Sequence, residues 1–332
     1  MNFKKYFYIS FIGIIISLLT IVGLVMVVDP YQQYRASDKI IVNQRLSNPG
    51  IAKQHDYDAV IVGSSMAMNH YACQVDSLFG WNTINLTTMG GTDEDYKLFI
   101  PYLVEQGKVK RMVWGIDYFS FFRPTIVSLS EPYLYDDCWW NDYSYWLSYT
   151  SLKNVICKIE EKGLADRDDL WHFNSPSGRE HLLKYYERDN NEKYFGKDDF
   201  SRMEARFDAM ERVVMPVLKD VEVYVYFPPY SICEFLMYDQ YGHWEQVMAF
   251  KEYMIERLLS YPNVKLYDFQ IEEFICNMDE YMDLRHHSHA YNKRIIECIH
   301  ADSCRVREDN YNKDLTVLDS LVRNFKLWNV ME

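Results

Sequence analysis

The N-terminus contains the feature that most limits what this chain can fold into. Residues 6–28 form a run of 23 positions without a charged side chain, composed mostly of Ile, Leu, Val, Phe and Gly. At a rise of about 1.5 Å per residue, a helix of this length crosses a hydrocarbon core of roughly 30 Å. We therefore expect one membrane-spanning helix, followed by a large globular domain.

A cleaved signal peptide is the alternative interpretation of this segment. Its apolar stretch would be shorter, roughly 7–15 residues, and would end in a small-x-small cleavage site. The segment ends instead in Val-Asp-Pro at residues 28–30, so we expect the anchor to be retained. Lys4 and Lys5 precede it and Asp29 follows it, which predicts a cytoplasmic N-terminus and an extracytoplasmic domain in the cell membrane.

Composition excludes several classes of protein. The chain is 48% hydrophobic and 16% aromatic, which excludes disorder for most of its length. Its formal net charge of -13 argues against a nucleic-acid partner and against a basic membrane-binding face. The seven cysteines show no zinc-type spacing. We therefore predict no metal and no cofactor, and the oligomeric state stays open.

Five short apolar runs predict the strands of an α/β domain. They lie at residues 57–63, 81–86, 111–117, 221–227 and 264–268. Helical patterns occupy residues 93–107, 207–219 and 243–260 between them. Strands that alternate with helices form right-handed crossovers, so we expect a mostly parallel sheet with helices on both faces.

The predicted organisation has four parts. Residues 1–28 form a cytoplasmic stub and the transmembrane helix, 29–54 a juxtamembrane connector, 55–310 the α/β domain and 311–332 a C-terminal helix. An aromatic-rich insertion at about 121–199 interrupts the α/β domain. It is either a helical subdomain with its own aromatic core, or a lid whose rings stack on a sugar or acyl substrate.

Residues that suit nucleophilic catalysis follow the first and last predicted strands. Ser64 and Ser65 come directly after Gly63, where a serine has a backbone N–H available for an oxyanion. The same residues also suit a simple turn and helix cap. Asp283 lies three residues before His286, and this spacing lets the carboxylate hold the imidazole in one tautomer. A second Asp-x-x-His, at residues 169–172, follows no predicted strand.

Two further candidate groups follow the second and third predicted strands. Gly90 and Gly91 come after the second strand, where they either supply a second N–H to an oxyanion or form an ordinary turn. Asp117 ends the third strand and either faces the site or caps a helix. Because the carboxyl ends of parallel strands meet at one edge of a sheet, all these groups are expected to converge there.

In this order of motifs the chain resembles the SGNH hydrolase superfamily. It looks most like the membrane-anchored branch that serves teichoic-acid D-alanylation and alginate acetylation. The resemblance implies a flavodoxin-like three-layer domain, with Ser65 as the nucleophile, His286 as the general base and Asp283 as its orienting partner. It also implies oxyanion donors at the N–H groups of Ser65 and of Gly90 or Gly91.

The chain departs from the family's pattern at two positions. Ser64 replaces the aspartate of the usual Gly-Asp-Ser block, and Asp117 replaces the usual oxyanion asparagine. An ionised aspartate cannot donate a hydrogen bond, and its charge opposes an oxyanion. Asp117 is therefore protonated, or it points elsewhere, or the oxyanion hole has only two donors.

The expected function is that of an extracytoplasmic serine esterase or O-acyltransferase. Its substrates would be an acyl donor and a cell-envelope glycan or polymer. The alternative is a catalytically degenerate SGNH fold that binds glycan or partner proteins at the membrane. A third interpretation is metal-dependent hydrolysis, with His287 and His289 joining Asp283 as ligands.

Overall fold

The computed structural model describes residues 3–41, 43–122, 132–166, 178–189 and 199–325. It is a mixed α/β structure with a mostly parallel sheet and one apolar N-terminal helix, as the sequence predicts. The chain divides into two compact units. The anchor unit comprises Met1–His55 and Leu129–Asp169, and the sheet unit comprises Asp56–Ser128 and Leu170–Glu332.

The described residues contain eight strands. They are β1 Lys39–Ile41, β2 Ala59–Gly63, β3 Thr83–Asn85, β4 Arg111–Gly115, β5 Leu164–Asp166, β6 Glu222–Phe227, β7 Val264–Asp268 and β8 Arg305–Val306. The same residues contain thirteen α-helices. They are α1 Phe3–Val28, α2 Gln44–Gln54, α3 Ala72–Phe79, α4 Asp93–Glu105, α5 Phe119–Phe122, α6 Tyr143–Trp146, α7 Tyr149–Ile159, α8 Arg179–Asp189, α9 Met203–Val217, α10 Ile232–Gln240, α11 Trp244–Leu259, α12 His289–His300 and α13 Tyr311–Asn324.

The sheet unit is built on six strands in the order β3-β2-β4-β6-β7-β8. All neighbours are parallel except β8, which runs antiparallel to β7. Every residue of β2 is buried. Successive strand residues point to opposite faces, so this burial means that both faces of the sheet are covered. On one face, Ile61 and Val113 pack against Val75 of α3 and Ile295 of α12.

The five predicted strands are all present, as β2, β3, β4, β6 and β7. The three predicted helices correspond to α4, α9 and α11, and the C-terminal helix is seen as α13. Residues 326–332 of that prediction lie outside the described residues. The antiparallel edge strand β8 was not predicted, because two residues are too short to show a period-two pattern.

In the anchor unit, α1 leads into a tightly bonded turn at Asp29. The Asp29 carboxylate accepts hydrogen bonds from the backbone N–H groups of Gln33 at 2.9 Å and Tyr34 at 2.8 Å, and from the Tyr145 hydroxyl at 2.9 Å. By length and composition α1 is able to cross a membrane, although a signal sequence would satisfy the same criteria. Its topology therefore stays a prediction.

Part of the predicted insertion has a core inside this same anchor unit. Strand β5 pairs antiparallel with β1, and the buried residues Leu134, Tyr145 and Val155 pack with Val25 of α1. For Tyr145 this supports the interpretation of a subdomain with its own aromatic core. In contrast, Trp140 is largely exposed.

Candidate active site

The turn that presents Ser65 depends on glycine at the end of β2. Gly63 has a φ of +144°, and a Cβ there would lie 2.8 Å from the carbonyl oxygen of Gly115 and 2.9 Å from Cβ of Ala67. No other residue has both the backbone freedom and the small size for this position. The chain therefore leaves the sheet sharply, and Ser64 and Ser65 follow at its carboxyl edge.

Side chains from neighbouring elements hold the turn in place. The Asn85 amide, at the end of β3, donates hydrogen bonds to the carbonyl oxygens of Met68 at 3.1 Å and His70 at 3.0 Å. The Asn292 amide of α12 donates to the Met66 carbonyl at 3.2 Å. The backbone around Ser65 is thus fixed from two sides.

Ser65, His286 and Asp283 form one hydrogen-bonded series. The Ser65 hydroxyl lies 2.9 Å from Nε2 of His286, and Nδ1 of His286 lies 2.7 Å from Oδ2 of Asp283. With the proton on Nδ1, the serine donates to the ring and the ring donates to the carboxylate. This is the order of contacts that activates a serine for nucleophilic attack.

Asp283 is held as a carboxylate. Its other oxygen accepts hydrogen bonds from the backbone N–H groups of Arg285 at 2.9 Å and His286 at 2.8 Å. Burial alone would raise the pKa of Asp283. The hydrogen bond from the His286 ring, the charge of that ring and the two N–H donors outweigh burial, and they lower the pKa of Asp283 to about 2. An ionised Asp283 stabilises a positive charge on His286 when the ring takes up a proton.

An ion pair fixes the loop that contains the histidine. Arg285 Nε donates to Oε1 of the buried Glu234 at 2.7 Å, and the guanidinium lies over the rings of Phe119 and Tyr230. The Ser231 hydroxyl donates to the Leu284 carbonyl at 2.6 Å. This support is not predictable from the sequence, because nothing in the local pattern links Arg285 to a glutamate 51 positions away.

The oxyanion predictions have mixed outcomes in the structure. The Ser65 N–H makes no hydrogen bond to another described residue, so it is available to a ligand. The Gly91 N–H instead donates to the Thr88 carbonyl at 3.0 Å, which closes a turn. Gly90 lies in the same turn with a φ of +59°. Gly91 is therefore committed to the turn, and the role of Gly90 as a donor stays a prediction.

Two hydroxyl groups occupy the Asp117 carboxylate. Its side chain is fully buried, and its two carboxylate oxygens accept hydrogen bonds from the hydroxyl groups of Ser64 and, at 2.9 Å, of Tyr230. Burial raises the pKa of Asp117 to about 6 against the opposing effect of these bonds. Of the three possibilities that its sequence position left open, these two bonds favour the one in which Asp117 points elsewhere, and its part in an oxyanion hole stays a prediction.

The hydroxyl of Ser64 links this buried carboxylate to the turn that contains Ser65. Ser64 Oγ donates to Asp117 and accepts a hydrogen bond from the Met66 N–H at 3.1 Å. The two positions that depart from the family's pattern are thus in direct contact. Both departures are visible in the sequence, but their contact appears only in the folded structure.

The proposed metal ligands are not assembled. Among the described residues, no group of three or more His, Cys, Asp or Glu side chains is arranged to hold a metal ion. His287 is fully buried, and burial lowers its pKa to about 3. His289 packs edge-on against Tyr71 with 4.2 Å between the ring centroids. The second Asp-x-x-His, at residues 169–172, lies outside the described residues.

Comparison with known proteins adds nothing to this geometry. No family model matches the chain, and no curated protein matches it significantly.

Proposed function

We propose that this chain is a membrane-anchored serine esterase or O-acyltransferase. The observation that carries the proposal is the hydrogen-bonded series from Asp283 through His286 to Ser65. Its members come from two distant parts of the sequence, and they meet at the carboxyl edge of a parallel sheet, where open α/β folds bind their ligands.

The first half-reaction forms an acyl-enzyme. Ser65 Oγ attacks the carbonyl carbon of an ester while Nε2 of His286 takes the hydroxyl proton. Asp283 stabilises the imidazolium, and the Ser65 N–H donates to the oxyanion. When the intermediate collapses, the ester C–O bond breaks and His286 returns the proton to the departing alcohol.

The second half-reaction releases the acyl group. Water or a sugar hydroxyl gives its proton to His286 and attacks the acyl carbon, and Ser65 then leaves with that proton. Water makes the protein an esterase, whereas a sugar hydroxyl makes it an O-acyltransferase. A domain tethered outside the cytoplasm would suit a cell-envelope glycan or polymer as acceptor.

Two features support membership of the SGNH hydrolase superfamily. The five parallel strands follow the spatial order 2-1-3-4-5, which is the flavodoxin-like arrangement. The serine follows the first of these strands and Asp-x-x-His follows the last. The contact between Ser64 and Asp117 accounts for the two departures, because one carboxylate still supports the turn of the nucleophile.

Labelling with a fluorophosphonate probe tests the proposal on the full chain in detergent. We expect the wild type to be labelled and Ser65→Ala to lose labelling completely. His286→Ala should lower the labelling rate by about 10²–10⁴, the range typical of a general base. Ser77→Ala, an exposed serine on α3, is the matched control and should be labelled like the wild type.

Two results would oppose the proposal in different ways. If Ser65→Ala is labelled normally and Ser64→Ala is not, the nucleophile has been assigned to the wrong serine. If the folded wild type resists labelling altogether, the alternative of a non-catalytic domain that binds glycan or partner proteins becomes the better account.

A further inference from the structure

Helix α7 of the anchor unit has an apolar face that the described residues leave largely uncovered, with Leu152 half-buried and the other members exposed. Its members are Tyr149, Leu152, Ile156 and Ile159, which we call the α7 stripe. They follow one another at i, i+3, i+7 and i+10, so they lie on one side of the helix. Tyr149 is 81% exposed and Ile159 is 61% exposed.

A neighbouring face of the same helix is buried against α1. Ser151 and Val155 are fully buried, and Val155 shares a core with Val25 of α1. The Lys158 ammonium donates to the Asp29 carbonyl, just beyond the end of α1, at 3.0 Å. Helix α7 is therefore packed beside the last turns of the apolar helix.

The exposure of the residues of α1 shows how far along that helix the packing extends. Residues 3–20 of α1 are exposed, whereas from residue 21 onward one side of the helix is covered: residues 21–23 are half-buried and Val25 is buried, while Leu24, Met26 and Val27 stay exposed. At 1.5 Å per residue, the covered part reaches about 10 Å back from Val28. Interfacial helices bury their apolar face about 5–10 Å into the boundary between headgroups and acyl chains. The two depths agree.

We infer that the α7 stripe lies in the outer interface of the bilayer that α1 crosses. The occupant of this face is lipid, because α7 packs beside α1, a helix whose own surroundings would be lipid. Tyr149 suits the headgroup level, where tyrosine and tryptophan are enriched. The exposed Lys153 on the polar side of α7 would remain in water. The inference rests on the membrane anchor included in the proposed function.

Quenching by brominated lipids tests the inference on the full chain in vesicles. Helix α1 contains no tryptophan, so it adds no signal of its own. We compare Ile159→Trp with Val213→Trp, an exposed apolar position on α9 of the sheet unit. Brominated acyl chains should lower the added emission of Ile159→Trp about twofold, as expected for an interfacial side chain, and leave that of Val213→Trp nearly unchanged. Ile156→Trp provides an independent second position.

The outcomes separate the inference from the anchor on which it rests. If carbonate extraction removes the wild type from the vesicles, the anchor itself is wrong. If the protein stays with the vesicles but neither stripe variant is quenched more than Val213→Trp, only the inference is overturned. Cross-linking of α7 to α7 without quenching would overturn it in favour of a second copy as the occupant.

Discussion

At the residue scale, Asp117 and Ser64 are the most informative positions. A buried carboxylate that accepts two hydroxyl donors is a strong acceptor, and here it restrains Ser64, the residue before the proposed nucleophile Ser65. The unusual aspartate is therefore compatible with catalysis. Its charge nevertheless has a cost in stability, since burial raises its pKa to about 6.

Asp117→Asn should alter how stability depends on pH. The folded protein holds a proton on Asp117 more tightly than the unfolded chain does, so this group makes stability fall as pH rises from about 4 to about 6. The rise in the pKa of Asp117 from its ordinary value of 3.8 to about 6 corresponds to about 3 kcal/mol, which is the upper limit of that fall in stability. The Asp117→Asn variant should not show this fall in stability. Urea unfolding of the full chain between pH 4 and 7 measures the difference.

The pKa of Asp283 is lowered rather than raised, so its effect on stability has the opposite sign and falls in a different pH range. Its pKa of about 2 lies below the ordinary value, so its contribution to stability is complete above about pH 4 and is lost as pH falls toward 2. The contribution of Asp283 to stability is therefore constant over the pH range in which the effect of Asp117 is measured. Asp220→Asn, which removes an exposed aspartate, is the control. An unchanged slope in Asp117→Asn would contradict the pKa argument.

At the element scale, a buried ion pair joins α11 to the end of β7. Lys251 Nζ lies 2.5 Å from Oδ2 of Asp268, and both side chains are fully buried. Lys251 also donates to Oε1 of Gln270 at 3.0 Å, and the Gln270 amide donates to the Pro228 carbonyl at 2.9 Å. The group thus ties together the carboxyl ends of the neighbouring strands β6 and β7.

Lys251→Met should be strongly destabilising. It leaves the Asp268 carboxylate buried without its counter-charge, which typically costs about 3–5 kcal/mol. Lys251→Met/Asp268→Asn should lose less than the single variant, because the unpaired charge is gone. Denaturant unfolding of both variants measures the cost. Lys293→Met, at an exposed pair on α12, should change stability by less than about 1 kcal/mol. A double variant less stable than Lys251→Met would refute the explanation.

At the scale of the whole molecule, the N-terminal charges should decide the orientation of the chain. Positively charged flanks stay in the cytoplasm, and only those close to the membrane segment count. We expect protease added to right-side-out vesicles to digest the sheet unit of the wild type. Lys4→Glu/Lys5→Glu should leave a protected, inverted fraction.

The control for this experiment changes two distant lysines in the same way. Lys293→Glu/Lys313→Glu carries the same change in net charge far from α1, so it should keep the orientation of the wild type. Equal protection in both double variants would show that charge near α1 does not set the topology.

The sequence alone was sufficient for those parts of the protein whose signal is local. Helix α1 follows from an uncharged run, and the five parallel strands follow from short apolar segments bounded by turns. The pair Ser64 and Ser65 and the histidine His286 stand out because each follows a predicted strand, and parallel strands end at the same edge of a sheet. The choice of Ser65 over Ser64 came from the resemblance to the SGNH block. Burial on both faces gives such strands a continuous apolar pattern, which makes them recognisable.

The remaining features depend on contacts between distant residues, which no local pattern encodes. The direction of the Asp117 side chain was decided by the hydroxyl groups of Ser64 and Tyr230. The support of the histidine loop came from Glu234, and the grouping of residues 129–169 with the N-terminal segment came from packing around Val25 and Tyr145. Side-chain direction and long-range pairing are set by which groups satisfy one another's hydrogen bonds and apolar surfaces, and only the folded structure determines that.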